Sequence, residues 1–225
     1  MTQITKPTEL VLIGCGDLYK TLSADAEIYI DLKNRLQCFP LSGPSALASQ
    51  SDELLDTLEP TRHRLFIAVD ANAMNHARLE LYGRARLRGF RMSTLVHPMA
   101  YVSPAATLGD NVWVGPSAQI AADCKLGSNT LVGANARLDN AVTVGNHVWL
   151  GAGSSIGSTS HIGNHCIVGN DVKLRSGTRV GKYSFIEQAG PWSGEVAAGT
   201  FALNTYAEPA RLIGAGYTHS LRASP

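Results

Sequence analysis

From Val102 to Ile186 the chain carries an aliphatic residue at every sixth position: Val102, Leu108, Val114, Ile120, Leu126, Val132, Leu138, Val144, Leu150, Ile156, Ile162, Val168, Leu174, Val180 and Ile186. The residue that follows is glycine at ten of these fifteen steps, from Gly109 to Gly181. The residue four places on is never larger than valine, as Ala106, Ala118, Cys124, Thr130, Ser154 and Cys166 illustrate. A period of six fits neither an α-helix, which turns every ~3.6 residues, nor one flat strand, whose side chains alternate with a period of two. It requires short strands separated by regular corners.

Three such hexads close one triangular coil, with the aliphatic residue and the small residue both pointing into a narrow core. Fifteen hexads then make about five coils of a left-handed parallel β-helix. Each coil satisfies its backbone polar groups on the next, so only the ends need covering. The composition agrees, with 22 glycines and only 16% charged residues. Nineteen basic against eighteen acidic residues leave a net charge of +1. No basic footprint for nucleic acid or an anionic membrane arises from that balance. Neither a signal-like apolar segment at the amino terminus nor a membrane-length run is present, and Cys15, Cys38, Cys124 and Cys166 show no disulfide or CxxC pattern. The expected setting is cytoplasmic.

Residues before the repeat alternate strands with helices. Leu10–Ile13 reads as a buried strand leading into Gly14-Cys15-Gly16-Asp17, and Glu27–Asp31 reads as a second strand. A helix over Ser51–Leu58, a strand over Arg64–Val69 and a helix over Asn75–Arg88 follow. This order predicts a small Rossmann-like α/β domain over 1–95, the β-helix over 96–190 and a capping extension over 191–225. Gly14 and Gly16 either let a phosphate approach a helix end or only make a tight turn. Asp31 either meets a ribose or base edge or caps a turn.

The α/β segment, the junction Leu95-Val96-His97-Pro98 with Val102-Ser103-Pro104, and the hexapeptide coil together resemble the sugar O- and N-acyltransferases of the sialic acid and bacillosamine type. Gly199-Thr200 and Pro209-Ala210-Arg211 match that family's closing segment, with an insertion through Asn204, Thr205 and Tyr206 between them. The resemblance implies a homotrimer, an amino-terminal domain that holds a nucleotide-linked sugar, and acetyl-CoA or another acyl-CoA lying along the coil between subunits. It also implies a general-base histidine at Ser158 or Thr159, and further histidines at Ser155 and Asp171. None of those positions is histidine here. The family's glycine loop corresponds to Gly14 and Gly16, and its segment after the third strand to Asp70 and Asn72.

Acyl transfer from a thioester needs a base for the attacking amine or hydroxyl and a donor for the oxyanion. His161, next to the corner of Ser158, ranks first as a replacement base, His165 second and His147 third. The last two are eighteen residues apart, so they should stack at one corner in a column that Asn129 and Tyr183 extend. Each could equally be a solvated surface histidine. Cys124 and Cys166 fit the inward small position. Trp113 and Trp149 should project outward, towards a neighbouring subunit or an adenine. Loops Phe39–Gln50 and Gln188–Tyr206 should choose the acceptor, a small molecule. The reading is acyl transfer to a sugar or nucleotide sugar. Its alternatives are a ligand-binding scaffold that has lost this chemistry, a zinc site of the kind some hexapeptide coils hold, and a dehydrogenase suggested only by the glycines.

Overall fold

The computed structural model describes residues 9–25, 28, 36–43, 47–71 and 75–211. An amino-terminal sheet of four parallel strands has the order β2-β1-β3-β4, with β1 at Glu9–Cys15, β2 at Leu36–Pro40, β3 at His63–Val69 and β4 at Arg91–Met92. Helix α1 spans Asp17–Ala24, α2 Leu47–Thr57 and α3 His76–Leu87. The strand expected over Glu27–Asp31 lies, apart from Ile28 in a turn, outside the described residues. One neighbour of β1 is Leu36–Pro40, of which Phe39 and Pro40 fall in the expected loop Phe39–Gln50. Its alternation is weak because it is an edge strand, half exposed, and its proline is tolerated only at such an edge.

Alternation along β1 and β3 divides two cores. Val11, Ile13, Leu65, Ile67 and Val69 face Leu55, Leu81 and Ala85 of α2 and α3. Leu10, Leu12, Phe66 and Ala68 face Leu18, Tyr19 and Leu22 of α1 together with Leu95, Trp113 and Leu131 of the coil. The coil therefore covers the side of the sheet that α1 alone is too short to cover.

The coil is a three-faced parallel β-helix. One face stacks Leu95–Val96, Trp113–Val114, Leu131–Val132, Trp149–Leu150, Ile167–Val168, Phe185–Ile186 and Thr200–Ala202. A second runs from Tyr101–Val102 to Pro191–Trp192, and a third from Thr107–Leu108 to Glu195–Val196. The aliphatic column is buried as the repeat requires, and Cys124 and Cys166 lie in the same core. Buried hydroxyl and thiol groups in the small column bond to corner carbonyls of the next coil, as Thr130 does to Gly145 O at 3.0 Å and Cys166 to Gly181 O at 3.1 Å. The recurrent glycine is also explained: a Cβ on Gly133 would lie 2.6 Å from Ala152 N on the coil above.

Stacking begins earlier and ends later than the aliphatic count. Val96, though exposed at the open end, is already in register with Val114, and beyond Ile186 the inward column continues with Trp192, Val196 and Ala202. The count stops because an indole replaces the aliphatic residue and the next corner is two residues shorter. Trp192 packs against the end of the core, and the antiparallel strand Ala210–Arg211 pairs with Thr200 and Phe201. Much of Gln188–Tyr206 is thus coil rather than free loop.

Trp113 and Trp149 point outward as expected, yet they meet the α/β sheet rather than a neighbouring subunit or an adenine. Trp113 is 8% exposed, and Trp149 packs against the same cluster. Replacing Trp113 with alanine should cost about 3–5 kcal/mol in urea unfolding, since a large buried ring leaves a cavity between two elements unable to collapse on it. An effect below about 1 kcal/mol would show that this docking contributes little to stability.

Candidate functional site

Every corner from Asn111 to Tyr183 places a residue in the left-handed region, six residues apart, with φ between 52° and 75°. Asparagine and glycine adopt this conformation readily, but bulky side chains do so at a cost of order 1 kcal/mol. One edge of the coil nevertheless puts three rings there in succession. His147, His165 and Tyr183 follow Asn111 and Asn129 in a single column. The His147 and His165 rings are stacked at 4.9 Å and 12°, and His165 and Tyr183 at 4.8 Å and 5°.

Helix α3 closes over this column. The Tyr82 ring meets the His147 ring edge-on at 5.6 Å, and Tyr82 Oη donates to Asp110 Oδ1 at 2.7 Å. Asn75 Nδ2 donates to the His147 carbonyl at 2.9 Å. Arg78, fully buried, donates to the carbonyls of Val69 at 3.3 Å and Asn129 at 3.2 Å and lies 5.5 Å from the Trp149 ring centroid. Burial lowers its pKa to about 9, opposed by the charge of Asp70. The free edge of β3 beyond β4 is completed from the coil, where Asn111 accepts from Ile67 N at 2.7 Å and donates to Ile67 O at 3.3 Å.

On the other side of the same edge lies an open cleft of about 550 Å³, lined by His161, Arg179 and Glu195 of the third face and by Asn164 and Lys182 at the corner. His161 is exposed and pairs with Thr143 below and Arg179 above. Lys182 Nζ sits 5.8 Å from the Tyr183 ring centroid, joining the cleft to the ring column. Gln119, Arg137 and Lys173 stand on the second face, separated from the histidines by a corner.

Sequence-selected residues are only partly gathered. His161, His165 and His147 flank one edge. Ser158, half-buried, stands at the corner between the second and third faces, and exposed Asp171 at the corner between the first and second. One subunit therefore spreads them over three edges. Gly14 and Gly16 both have packing reasons: a Cβ on Gly14 would strike the Ala68 carbonyl, and one on Gly16, at φ +87°, the Asp70 carboxylate. Asp70 accepts from Asp17 N at 2.7 Å and Leu18 N at 2.9 Å, so a carboxylate already meets the first amides of α1. Asp31 and Asn72 lie outside the described residues. Sequence reading missed Asn75, Arg78, Tyr82 and Asn111. Only the eighteen-residue spacing of Asn111 from Asn129 could have flagged the last. Among the described residues no three His, Cys, Asp or Glu side chains gather as a metal site, and no helix is long and apolar enough to cross a membrane.

Three comparisons bear on this arrangement. A family model, the GMPPB C-terminal domain, matches residues 90–188, less than half of the chain. No curated protein matches. Among solved structures, the acetyltransferase domain of PglB from Neisseria gonorrhoeae FA1090 in complex with acetyl coenzyme A is 22% identical, with a TM-score of 0.77 over 92% of this chain and 100% of that one. PerB from Caulobacter crescentus in complex with CoA and GDP-perosamine is 22% identical, with a TM-score of 0.75 over 90% and 97%. WeeI from Acinetobacter baumannii AYE is 14% identical, with a TM-score of 0.66 over 89% and 100%. The chain shares the fold of these proteins, α/β segment and coil together.

Burial, the neighbouring His165 and the positive Arg78 push the His147 pKa down to about 4, with Asp110 opposing, and burial with His76 lowers that of His165. An unfolded chain would bind a proton at His147 near pH 6.5, whereas the native chain does so only near 4. Stability from this group is therefore present above about 6.5 and lost as pH falls towards 4. Discounted for its half-exposed position, the loss should be roughly 1–2 kcal/mol, a few degrees of Tm. His147→Asn, a residue that suits this backbone conformation, should flatten the acid side of a Tm-against-pH curve. An unchanged slope would show that another group carries it.

Proposed function

We propose that this protein is an acyl-CoA-dependent acyltransferase, acting on an amine or hydroxyl of a small molecule, a sugar or nucleotide sugar in the first instance. The observation that carries the reading is the cleft lined by His161, Arg179 and Lys182 on a coil whose fold is shared with an acetyl coenzyme A complex and with a CoA and GDP-perosamine complex. Cations beside an open groove suit the phosphates of a coenzyme, and an exposed imidazole suits a base. His161 is assigned the base role, with His165 the second choice.

Asp70 bears on the acceptor. A carboxylate at the start of α1 repels a phosphate there, but its remaining lone pairs can accept from a hydroxyl or N–H group. We therefore assign the loop of Gly14, Gly16 and Asp70 to the ribose or base edge of a nucleotide-linked acceptor. Ser158 and Asp171, on other edges, enter the site only from neighbouring subunits, in keeping with a homotrimer. A second reading, a scaffold that binds the coenzyme without turnover, is favoured by that same dispersal.

Acetyl-CoA at about a hundred times its Kd should raise stability by roughly 2.7 kcal/mol. Arg179→Ala and Lys182→Ala should each weaken binding about tenfold, with less salt dependence than the parent. His161→Ala should bind acetyl-CoA normally and release free thiol ~100- to 10,000-fold more slowly with a working acceptor. Binding without thiol release from any amino or hydroxy sugar supports the scaffold. No Tm shift at millimolar acetyl-CoA overturns both readings.

A further inference from the structure

The hydrogen bonds along the ring column run in one direction only. Ile67 N–H, a main-chain donor whose identity cannot be exchanged, meets the Asn111 side chain at 2.7 Å, so the Asn111 atom there is its oxygen. The Asn111 nitrogen must then face Asn129, whose accepting atom is Oδ1 at 2.7 Å. That leaves the Asn129 nitrogen 2.8 Å from His147 Nδ1. An amide NH₂ group only donates, so Nδ1 holds a lone pair and the proton of the neutral ring sits on Nε2. Both asparagines are fully buried, and neither can trade its partner for water.

The ring itself is held in plane. Tyr82 meets it in a T-shaped contact and His165 lies on its face, while Asn75 anchors the His147 carbonyl. Nε2 has no hydrogen-bond partner among the described residues. A half-buried imidazole fixed in tautomer and orientation, with one unengaged N–H, is built to meet an acceptor oxygen rather than to take a proton. It sits two residues from Gly145 of the cleft.

We infer that His147 acts as a fixed hydrogen-bond donor, through Nε2–H, to the carbonyl oxygen of a bound thioester, with Asn111 and Asn129 as the positioning residues that set its tautomer. The inference rests on the acyl-transfer reading and removes His147 from the candidate bases. In the step it serves, the acceptor nitrogen or oxygen forms a bond to the thioester carbon and the C=O electron pair moves onto oxygen, where Nε2–H meets it. The pair returns, the C–S bond breaks, and the coenzyme leaves as thiolate. The proton of the attacking group passes to His161 and from there to the thiolate.

Two measurements on the full chain test this. Long-range ¹H–¹⁵N correlation spectra of ¹⁵N-labelled protein at pH 7.5, with His147 assigned by its loss in His147→Gln, should show a neutral ring protonated on Nε2. Asn129→Asp, which sets an acceptor against Nδ1, should move the proton to Nδ1. Acetyl transfer should then fall roughly 100- to 1000-fold in kcat in Asn129→Asp and His147→Ala, the range for loss of one oxyanion donor, with the KM for acetyl-CoA within about threefold. His147→Gln, whose amide donates but cannot act as a base, should recover at least about tenfold of the His147→Ala loss. If Asn129→Asp does not fold, the His147 pair decides. A proton on Nδ1 in the parent protein overturns the relay. His147→Gln as inactive as His147→Ala overturns the donor role. A parent with the Nε2–H tautomer and no acyl transfer to any acceptor overturns the acyl-transfer reading and the donor role with it, while the relay stands.

Discussion

The outward stripe on one face of the coil, Leu95, Trp113, Leu131 and Trp149, is the contact on which the rest of this structure depends. A four-stranded parallel sheet must be covered on both sides. Here α2 and α3 cover one, while α1, only eight residues long, leaves the other open. The solenoid supplies what is missing, and apolar burial at ~25 cal/mol per Å² makes the junction part of the core rather than a linker. The two halves are consequently one unit, and groups from both meet at fixed distances along the edge that borders this seam.

That edge carries the candidate site. On one flank, α3 seals Asn75, Arg78 and Tyr82 against the ring column. On the other, the third face opens into the cleft of His161, Arg179 and Lys182. The polar groups at the seam are there because backbone groups would otherwise be orphaned: Asn111 completes the edge of β3 where β4 stops, and Arg78 takes the next carbonyl along it. A structural need for satisfied hydrogen bonds thereby fixes the state of a titratable ring two coils further along. Three aromatic residues on the same edge are kept in a left-handed backbone conformation where asparagine or glycine would be relaxed.

Much of this could be read in the order of residues. The period of six, the glycine after each aliphatic residue and the size limit in the small column dictated the coil and its register from Val102 to Ile186. The His147–His165 column followed from a spacing of eighteen. The runs Leu10–Ile13 and Arg64–Val69 mark two central strands, but the half-exposed edge strand Leu36–Pro40 has no such pattern. Trp113 and Trp149 lie on an outward face, as their spacing implies, but the α/β sheet that covers them does not follow from it, because periodicity states which way a side chain points and says nothing of what will lie there. The period of eighteen that joins them to Leu131, Ile167 and Phe185 was available and would have identified an apolar face.

The sequence by itself determined the β-helix, its inward columns and the corner each histidine occupies, since those follow from local geometry repeated without interruption. Only the tertiary structure decided that the α/β sheet docks on the Trp113 face, that Asp70 rather than a ligand meets the start of α1, that Ser158, Asp171 and the histidines stand on different edges, and that Asn111 and Asn129 orient His147. Each of these depends on contacts between residues tens of positions apart whose pairing is selected by burial and by the satisfaction of buried polar groups, and neither has a period that a sequence can display.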